Sequence, residues 1–343
     1  MAKGSKFLPA EWEEQSAVQL TWPHGKSDWA PYLKDAVACF VEIAENVLNY
    51  ELLLIVTPEV EIVKKHLEHC DLSKIIFVHA DSDDTWARDH GPITIFEDHQ
   101  PVLLDFGFNG WGGKFAFAKD DVITEHMMNA NIFSKNTGYR NLMDFILEGG
   151  SIESDGQGTI LTTSKCLLSA NRNITFFKGT IEKSLLSIFG ANRILWLNSG
   201  QLEGDDTDGH IDTLARFCSH DTIAYVCSTD PDDSHYKELK MMEDELCEFV
   251  QSNGQPYKLI PLPMADAVYE EGQRLPATYA NFLIINGAVL VPFYGSPKDR
   301  QVVNILAPLF PEMEIIGINC KVLVKQGGSL HCVTMQYPKG VIE

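Results

Sequence analysis

The sequence has few features of a secreted, membrane-bound or disulfide-stabilised protein. Its longest nearly apolar run, residues 282–293, is too short to cross a bilayer. Its first residues lack the apolar segment of a secretory signal. Its eight cysteines form no Cys-x-x-Cys pair, and unpaired thiols are typical of a reducing compartment. We therefore expect a cytoplasmic protein without a membrane partner, in which most thiols are buried.

Basic residues are also scarce. The chain has 27 Lys and Arg against 48 Asp and Glu, a formal net charge of −21. Such a surface repels phosphate backbones and attracts cations, so nucleic acid is excluded as an expected partner and a small cationic molecule is favoured. Apolar residues make up 45% and charged residues 22%, a composition that excludes a disordered or fibrous chain.

Linkers and low-complexity segments are absent from the sequence, so we expect one catalytic domain over residues 1–343. Apolar periodicity predicts helices over 34–49, 58–69 and 235–252. Short β-branched runs predict strands between helices, which together indicate an α/β fold. These predicted strands are 52–57, 75–79, 93–96, 102–106, 159–163, 194–197, 222–227, 282–285, 289–293 and 321–324.

A coarse repeat runs through these strands. Five glycine-rich or polar turns, each next to a strand-like run, begin at positions 86, 148, 209, 279 and 327, so they are 62, 61, 70 and 48 residues apart. Recurrence of this kind is typical of a closed architecture built from blades. If the turns converge near one axis, a functional site is expected there.

The turn at 209 contains Gly-His-Ile-Asp. Residues two apart in a strand share a face, so we expect His210 and Asp212 to project together. A histidine beside a carboxylate can transfer protons near neutral pH. The alternative is an ordinary strand end that faces solvent.

The turn at 327 contains Gly-Gly-Ser-Leu-His-Cys. Cys332 arrives at the predicted start of a strand and needs a neighbouring base or cation to become a nucleophile. His331 is adjacent in sequence, but in an extended segment it would point to the opposite face, which makes His210 the better candidate. The alternative is a buried structural cysteine.

Two further turns supply carboxylates. Trp86 and Asp89 precede a Gly-Pro turn, and Glu148 precedes Gly-Gly-Ser-Ile. The alternatives are a turn held by an Arg88–Asp pair and a glycine-rich hairpin. Taken together, two carboxylates can clamp a planar guanidinium through paired hydrogen bonds, a thiolate can attack its central carbon, and a histidine can move the protons.

With these motifs the sequence resembles the agmatine deiminase family, which is grouped with bacterial peptidylarginine deiminases in the guanidine-modifying superfamily. The resemblance spans nearly the whole chain and implies a five-bladed, pseudo-fivefold α/β propeller of the pentein-like kind. Ten ordered motifs carry it, beginning at Pro9, Thr21, Trp86, Phe108, Glu148, Asp155, Cys166, Asn171, Asp208 and Gly328.

The resemblance implies a role for each site residue. Cys332 would be the nucleophile, His210 the general acid and then base, Asp89 and Asp212 the guanidinium-binding carboxylates, and Glu148 the group that orients His210.

The rest of the pocket is implied in the same way. Trp86 and Trp111 would be pocket walls, and Asp206 would suit a distal amine, as would Asp205. The implied reaction converts agmatine to N-carbamoylputrescine and ammonia, a step of polyamine metabolism and putrescine biosynthesis, through a covalent thiouronium. It needs no metal or organic cofactor. A homodimer is expected because such assemblies are common among soluble enzymes.

Three departures from the usual family pattern leave the substrate open between agmatine and free or peptidyl arginine. Glu153 stands where a histidine is usual, Gln326-Gly-Gly-Ser-Leu replaces Gly-Gly-Gly-Asn-Ile, and Ser169-Ala-Asn-Arg-Asn-Ile replaces Asn-Pro-Asn-Arg-Asn-Pro. An arginine carboxylate would need a basic partner, for which Arg88, Arg172 and Arg300 are available.

Two other classes of function are weighed. One is a non-catalytic propeller that serves as a binding module, which the presence of all five reactive residues disfavours. The other is a metal hydrolase, since residues 65–70 place histidine and cysteine at helical spacing.

Overall fold

The computed structural model describes residues 6–343, and short α-helices and 3-10 helices connect its strands. The α-helices are α1 (Leu33–Leu48), α2 (Val60–His66), α3 (Ala87–His90), α4 (Gly110–Gly113), α5 (Ile123–Asn129), α6 (Ser164–Leu167), α7 (Lys178–Phe189), α8 (Tyr236–Glu248) and α9 (Lys298–Leu306). The 3-10 helices are Ala30–Tyr32, Leu72–Lys74, Asp120–Val122, Gly149–Ser151, Ile211–Thr213, Ala307–Leu309 and Leu323–Gln326.

The strands are short, as the β-branched runs predicted. In chain order they are β1 (Lys6–Phe7), β2 (Gln15–Thr21), β3 (Leu52–Thr57), β4 (Ile75–His79), β5 (Ile93–Glu97), β6 (Gln100–Gly107), β7 (Gly138–Ile146), β8 (Ile152–Ser154), β9 (Thr159–Thr163), β10 (Arg193–Leu197), β11 (Ala215–Ser219), β12 (Thr222–Cys227), β13 (Lys258–Pro263), β14 (Tyr269–Glu270), β15 (Gln273–Arg274), β16 (Leu283–Ile285), β17 (Ala288–Phe293), β18 (Glu314–Asn319) and β19 (Thr334–Pro338).

Five small sheets share one strand pattern, in which the first strand is antiparallel to the second and the second is parallel to the third. They are β5-β6-β7, β8-β9-β10, β11-β12-β13, β16-β17-β18 and β19-β2-β3. Strand β1 extends the first of these sheets and β4 extends the last. The prediction of a mixed α/β fold is confirmed.

Each parallel pair needs a crossover connection, and the longer helices provide these crossovers. Helix α1 lies between β2 and β3, and it buries Ala36, Phe40, Ile43 and Val47, spaced three or four residues apart, on one face. This helix packs on β3 and β18. No helix among residues 6–343 is both long enough and apolar enough to span a bilayer.

The predicted helices are all present but shorter at their C-terminal ends. The predicted strand over 321–324 is wrong, because this segment overlaps the 3-10 helix Leu323–Gln326, and the strand of that sheet is β18. The run Glu314–Asn319 forms the strand that pairs with the buried β17. Most of its side chains are exposed or only partly buried, so its sequence gives only a weak strand pattern.

The last strand closes onto the beginning of the chain. Strand β19 pairs with β2, and the fully buried Tyr337 donates a hydrogen bond of 2.6 Å from its hydroxyl to Gln19 Oε1. Segments near both ends of the described chain therefore belong to one sheet, and Cys332 lies two residues before β19 begins.

This closure predicts that Tyr337→Phe lowers the free energy of unfolding by about 1–3 kcal/mol, because it leaves the buried Gln19 oxygen without its donor. Urea denaturation followed by circular dichroism measures the change. Tyr269→Phe is the matched control, since Tyr269 is 60% exposed. Equal effects of the two variants would contradict the prediction.

Candidate active site

The turns that precede the five sheets bring the predicted reactive residues together in the interior. All five are buried, and none is more than 4% exposed: Asp89, Glu148, His210, Asp212 and Cys332. They come from α3, the residue before Gly149–Ser151, the turn around Ile211–Thr213, and the loop that enters β19. Burying this many ionisable groups requires that each find a partner or change its protonation state.

Asp89 is held from two sides. Its Oδ1 accepts a hydrogen bond of 3.0 Å from the backbone N–H of Gly150, and its Oδ2 accepts one of 2.9 Å from the indole N–H of Trp111. Trp111 has a left-handed backbone conformation (φ 55°), which is uncommon for an aromatic residue. Asp89 Oδ1 also lies 3.6 Å from His210 Nδ1.

His210 and Asp212 do not lie on a strand, so the predicted strand geometry is wrong. Residues Ile211–Thr213 form a 3-10 helix and β11 begins only at Ala215. The two side chains nevertheless meet at Gly150. A Cβ on Gly150 would lie 2.7 Å from His210 Nδ1, 2.8 Å from Asp89 Oδ1 and 3.0 Å from Asp212 Oδ2. Only glycine leaves room for the three groups to approach one another.

Cys332 lies in a turn rather than at the start of a strand. Its Sγ is 3.4 Å from Asn281 Oδ1 and 4.0 Å from Asp212 Oδ2. His331 reaches the same Asp212 oxygen, with Nδ1 at 2.7 Å. The expectation that His331 and Cys332 face opposite directions is therefore wrong, because the turn brings both side chains to one carboxylate.

Glu148 is close to His210 but bonded to another residue. Its two oxygens accept hydrogen bonds of 2.8 and 2.9 Å from Arg172 Nε. A carboxylate oxygen of Glu148, the Cys166 sulfur and a ring nitrogen of His210 lie within 4.8 Å of one another. Glu148 thus acts on His210 through its charge, while Arg172 fixes its orientation.

The sequence motifs gave no role to Asn281 or Glu11, proposed Arg172 only as a partner for a substrate carboxylate, and disfavoured His331. Asn281 belongs to the predicted turn at 279, the only one of the five turns without an assigned side chain, and that omission was a usable signal. Glu11 contacts His331 across 320 positions of sequence, at 2.6 Å. No local pattern indicates such a contact.

A cavity of about 190 Å³ opens onto Cys332 and Asp89. Trp86, Trp111 and Asp206, all predicted as pocket residues, line it, whereas His210 and Asp212 are not among its lining residues. Two cations in the lining are already paired. Arg274 binds Asp233 at 2.8 Å, and Lys325 binds Glu270 at 3.1 Å.

The departures from the family pattern fall in different places. Gln326 lines the cavity. Ser329 bonds the Tyr294 hydroxyl at 2.8 Å. Glu153 lies outside the cavity lining, against Arg216 and the backbone N–H of Phe217. Glu153 therefore makes no contact with the cavity through which it could affect recognition of the distal end of a substrate.

Buried charge sets the protonation state of the site. Burial, reinforced by repulsion from Asp212 and Asp89, raises the pKa of Cys332 well above its usual value. Burial alone would lower the pKa of His210, but Asp89, Cys166 and Glu148 outweigh it and raise that pKa. Without a ligand, the thiol and the imidazole are therefore both protonated at neutral pH.

The two aspartates differ in the same environment. Burial raises the pKa of Asp89, although attraction to His210 opposes this shift. Burial acts on Asp212 too, but the hydrogen bond from His331 and the charges of His331 and His210 prevail and lower its pKa. Asp212 is thus the more firmly ionised carboxylate, and its Oδ1 is buried without a hydrogen-bond partner among the described residues.

The arginines considered for an arginine carboxylate lie elsewhere. Arg88 contacts Glu11 at 3.7 Å and the carbonyl of His331, Arg172 is bonded to Glu148, and Arg300 is exposed on α9. None of these three residues lines the cavity.

The metal site considered from the sequence requires His66, His69 and Cys70 on one helix face, and the observed helix is too short for that. Helix α2 ends at His66, whose ring stacks on Trp22, so His69 and Cys70 lie beyond the helix. His69 and Cys70 lie near Glu45 on the surface instead.

The raised thiol pKa predicts how Cys332 reacts without substrate. Its alkylation rate by iodoacetamide is expected to keep rising above about pH 9, beyond the range of an ordinary thiol. Peptide mass spectrometry measures the rate, and the exposed Cys247 in the same chain serves as the reference for reagent. A rate that levels off below about pH 8 would contradict the prediction.

Known proteins match this chain over nearly its whole length. Agmatine deiminase of Pseudomonas aeruginosa is 31% identical over 357 residues, covering 96% of this chain and 95% of that protein. The crystal structure of a protein from Porphyromonas gingivalis, provisionally named an arginine deiminase, is 50% identical with a TM-score of 0.95, covering 98% of this chain and all of that one.

A third match carries a ligand. A cysteine-to-serine variant of C. jejuni agmatine deiminase, solved with substrate bound, is 38% identical with a TM-score of 0.92 and covers 98% of each chain. Residues 7–338 match the family model described as Porphyromonas-type peptidyl-arginine deiminase. The resemblance to agmatine deiminases that the motifs indicated is thereby confirmed, and the chain belongs to the Porphyromonas-type peptidyl-arginine deiminase family.

Proposed function

We propose that this protein hydrolyses a guanidinium group, converting agmatine to N-carbamoylputrescine and ammonia with Cys332 as nucleophile. The observation that carries the proposal is the buried Cys332 thiol, 4.0 Å from Asp212 Oδ2, in the lining of a cavity that Asp89 also lines. The imidazole of His210 lies 3.6 Å from that same Asp89. Further support comes from relatives named agmatine deiminase, one of which was solved with substrate after its cysteine was replaced.

The first step is binding of the planar cation. The unpartnered Oδ1 of Asp212 and the carboxylate of Asp89 accept charge-assisted hydrogen bonds from the guanidinium N–H groups. The positive charge of the substrate offsets the repulsion that these two carboxylates exert on Cys332, so the pKa of the thiol falls. Its proton passes to solvent, from which the thiolate recovers a proton after the product leaves, and the thiolate faces the central carbon.

Covalent catalysis then proceeds in two halves. The thiolate forms a C–S bond, His210 donates its proton to the leaving nitrogen, and ammonia departs from a thiouronium. The neutral imidazole takes one proton from an attacking water, the C–S bond breaks, and the ureido product leaves. The second proton of the water ends on ammonia, which forms ammonium.

Cys332→Ala is expected to lower ammonia release from agmatine at least about 1,000-fold while the fold is retained, because no other group supplies the nucleophile. Cys247→Ala, on the exposed face of α8, is the control and should retain wild-type turnover. Rapid quenching of wild-type enzyme should yield a covalent adduct on the peptide containing Cys332. Full activity of Cys332→Ala would reject the mechanism, whereas wild-type protein without turnover would favour the alternative of a non-catalytic binding module.

The choice of agmatine over free or peptidyl arginine depends on the distal end of the cavity. Asp206 is exposed there, and its carboxylate has no hydrogen-bond or ion-pair partner among the described residues. The cations Arg274 and Lys325 are paired with other carboxylates. An amine therefore suits this end better than a carboxylate does, which leaves arginine as the alternative substrate.

Asp206→Asn is expected to raise KM for agmatine up to about 5-fold with little change in kcat, since an exposed ion pair contributes on the order of 1 kcal/mol. Butylguanidine, which lacks the amine, is the control substrate and should respond equally to wild type and variant. Activity on arginine or on a blocked arginine peptide that equals activity on agmatine would overturn the agmatine assignment.

We further propose that the five sheets of common strand pattern are the blades of one pseudo-fivefold α/β propeller, formed by a single domain over residues 1–343. In support, the turns leading into the sheets contribute the clustered residues, and β19 pairs with β2 to join the chain ends. A crystal structure tests the fivefold axis. The expected homodimer is tested by light scattering, and the proposed cytoplasmic location agrees with eight free cysteines.

A further inference from the structure

His331 lies between two carboxylates. Its Nδ1 is 2.7 Å from Asp212 Oδ2, its Nε2 is 2.6 Å from Glu11 Oε2, and the side chain is 2% exposed. Ionised carboxylates only accept hydrogen bonds, so this geometry requires an N–H on each ring nitrogen. Both contacts are charge-assisted, which makes them strong as well as directional.

Glu11 is itself immobilised. Its Oε2 also faces Arg216 at 2.9 Å, and its Oε1 accepts a hydrogen bond of 2.8 Å from the backbone N–H of Ile284. Burial would raise the pKa of Glu11, but the neighbouring Arg216 and His331 outweigh burial and lower it. Glu11 is therefore a fixed anion against which the imidazole rests.

The backbone of His331 is fixed from another direction. Its N–H donates to Asn281 Oδ1 at 3.0 Å and to the Asn281 carbonyl at 3.2 Å. The same Asn281 Oδ1 lies 3.4 Å from Cys332 Sγ. One asparagine thus sets both the imidazole and the nucleophile, so their positions relative to Asp212 are linked.

The consequence falls on Asp212. With Oδ2 bound to His331, the carboxylate cannot rotate freely, and Oδ1 is left buried without a hydrogen-bond partner among the described residues, free to accept from the proposed substrate. Asp89 carries a like charge nearby, and an unanchored Asp212 would turn away from it or take up a proton.

We propose that His331 is a positioning residue, which holds Asp212 ionised and directs its free oxygen at the guanidinium. The proposal rests on the proposed function. It assigns His331 no proton transfer with substrate, since both of its nitrogens are occupied by carboxylates.

Two substitutions separate the two contacts. In His331→Asn the amide nitrogen occupies the place of Nδ1 and can still donate to Asp212, whereas in His331→Gln it occupies the place of Nε2 and can donate only to Glu11. We expect kcat/KM for agmatine to stay within about 10-fold of wild type in His331→Asn and to fall at least about 100-fold in His331→Gln, the loss expected for a charge-assisted hydrogen bond.

Thermal unfolding of both variants is the accompanying control, because each variant loses one of two similar buried contacts. If His331 had a purely structural role, the two variants would lose similar amounts of activity. Equal losses in the two variants, or full activity of His331→Gln, would overturn the proposal. Wild-type enzyme that is inactive on agmatine, arginine and blocked arginine peptides would instead reject the proposed function.

A measurement that leaves His331 in place keeps the proposal testable if either His331 variant fails to fold. In histidine-labelled Cys332→Ala enzyme, the Nδ1–H proton of His331 should resonate far downfield and shift when agmatine binds to the opposite oxygen of Asp212. Absence of a downfield resonance, or a resonance that agmatine does not shift, would contradict the assigned role.

Discussion

Burial of the Asp212 carboxylate is the constraint on which the rest of the site depends. A fully buried anion is stable only with a partner, and here one oxygen has a partner in His331 while the other has none. His331 in turn requires Glu11, and Glu11 requires Arg216. Charge compensation therefore runs outward from Asp212 through a connected series of buried groups.

This series pairs buried acidic groups with buried basic ones. The carboxyl groups of Glu11, Asp89, Glu148, Glu153 and Asp212 face the side chains of Arg88, Arg172, Arg216, His210 and His331. Burial, together with repulsion from Asp212 and Asp89, raises the pKa of the Cys332 thiol, so the thiol keeps its proton. In the proposed reaction the bound cation offsets that repulsion, so the thiol ionises only after the substrate has bound.

The sequence predicted the outline of this arrangement because each of the five turns is local. Turn residues, glycine pairs and the β-branched runs beside them are visible within about ten residues, and they located Asp89, Glu148, His210, Asp212 and Cys332. Reasoning from strand periodicity failed at 210–212 and 331–332 because these residues occupy tight turns, where alternate residues do not share a face. The partners Glu11 and Asn281 were missed because their contacts join distant segments, and only the closed fold brings them together.

Contacts between segments distant in sequence also explain the departure from the family pattern at Glu153. Placed beside Glu11, a second buried carboxylate would be unfavourable alone, but Arg216 binds both of them. The substitution is thus compensated on the side of the site away from the cavity. On the cavity side a carboxylate is left unpaired, because that of Asp206 has no partner among the described residues. The cations there, Arg274 and Lys325, are paired with Asp233 and Glu270. A charge-paired network behind the reacting centre and an unpaired carboxylate in front of it favour the proposed dication, with its guanidinium towards Asp212 and its amine towards Asp206.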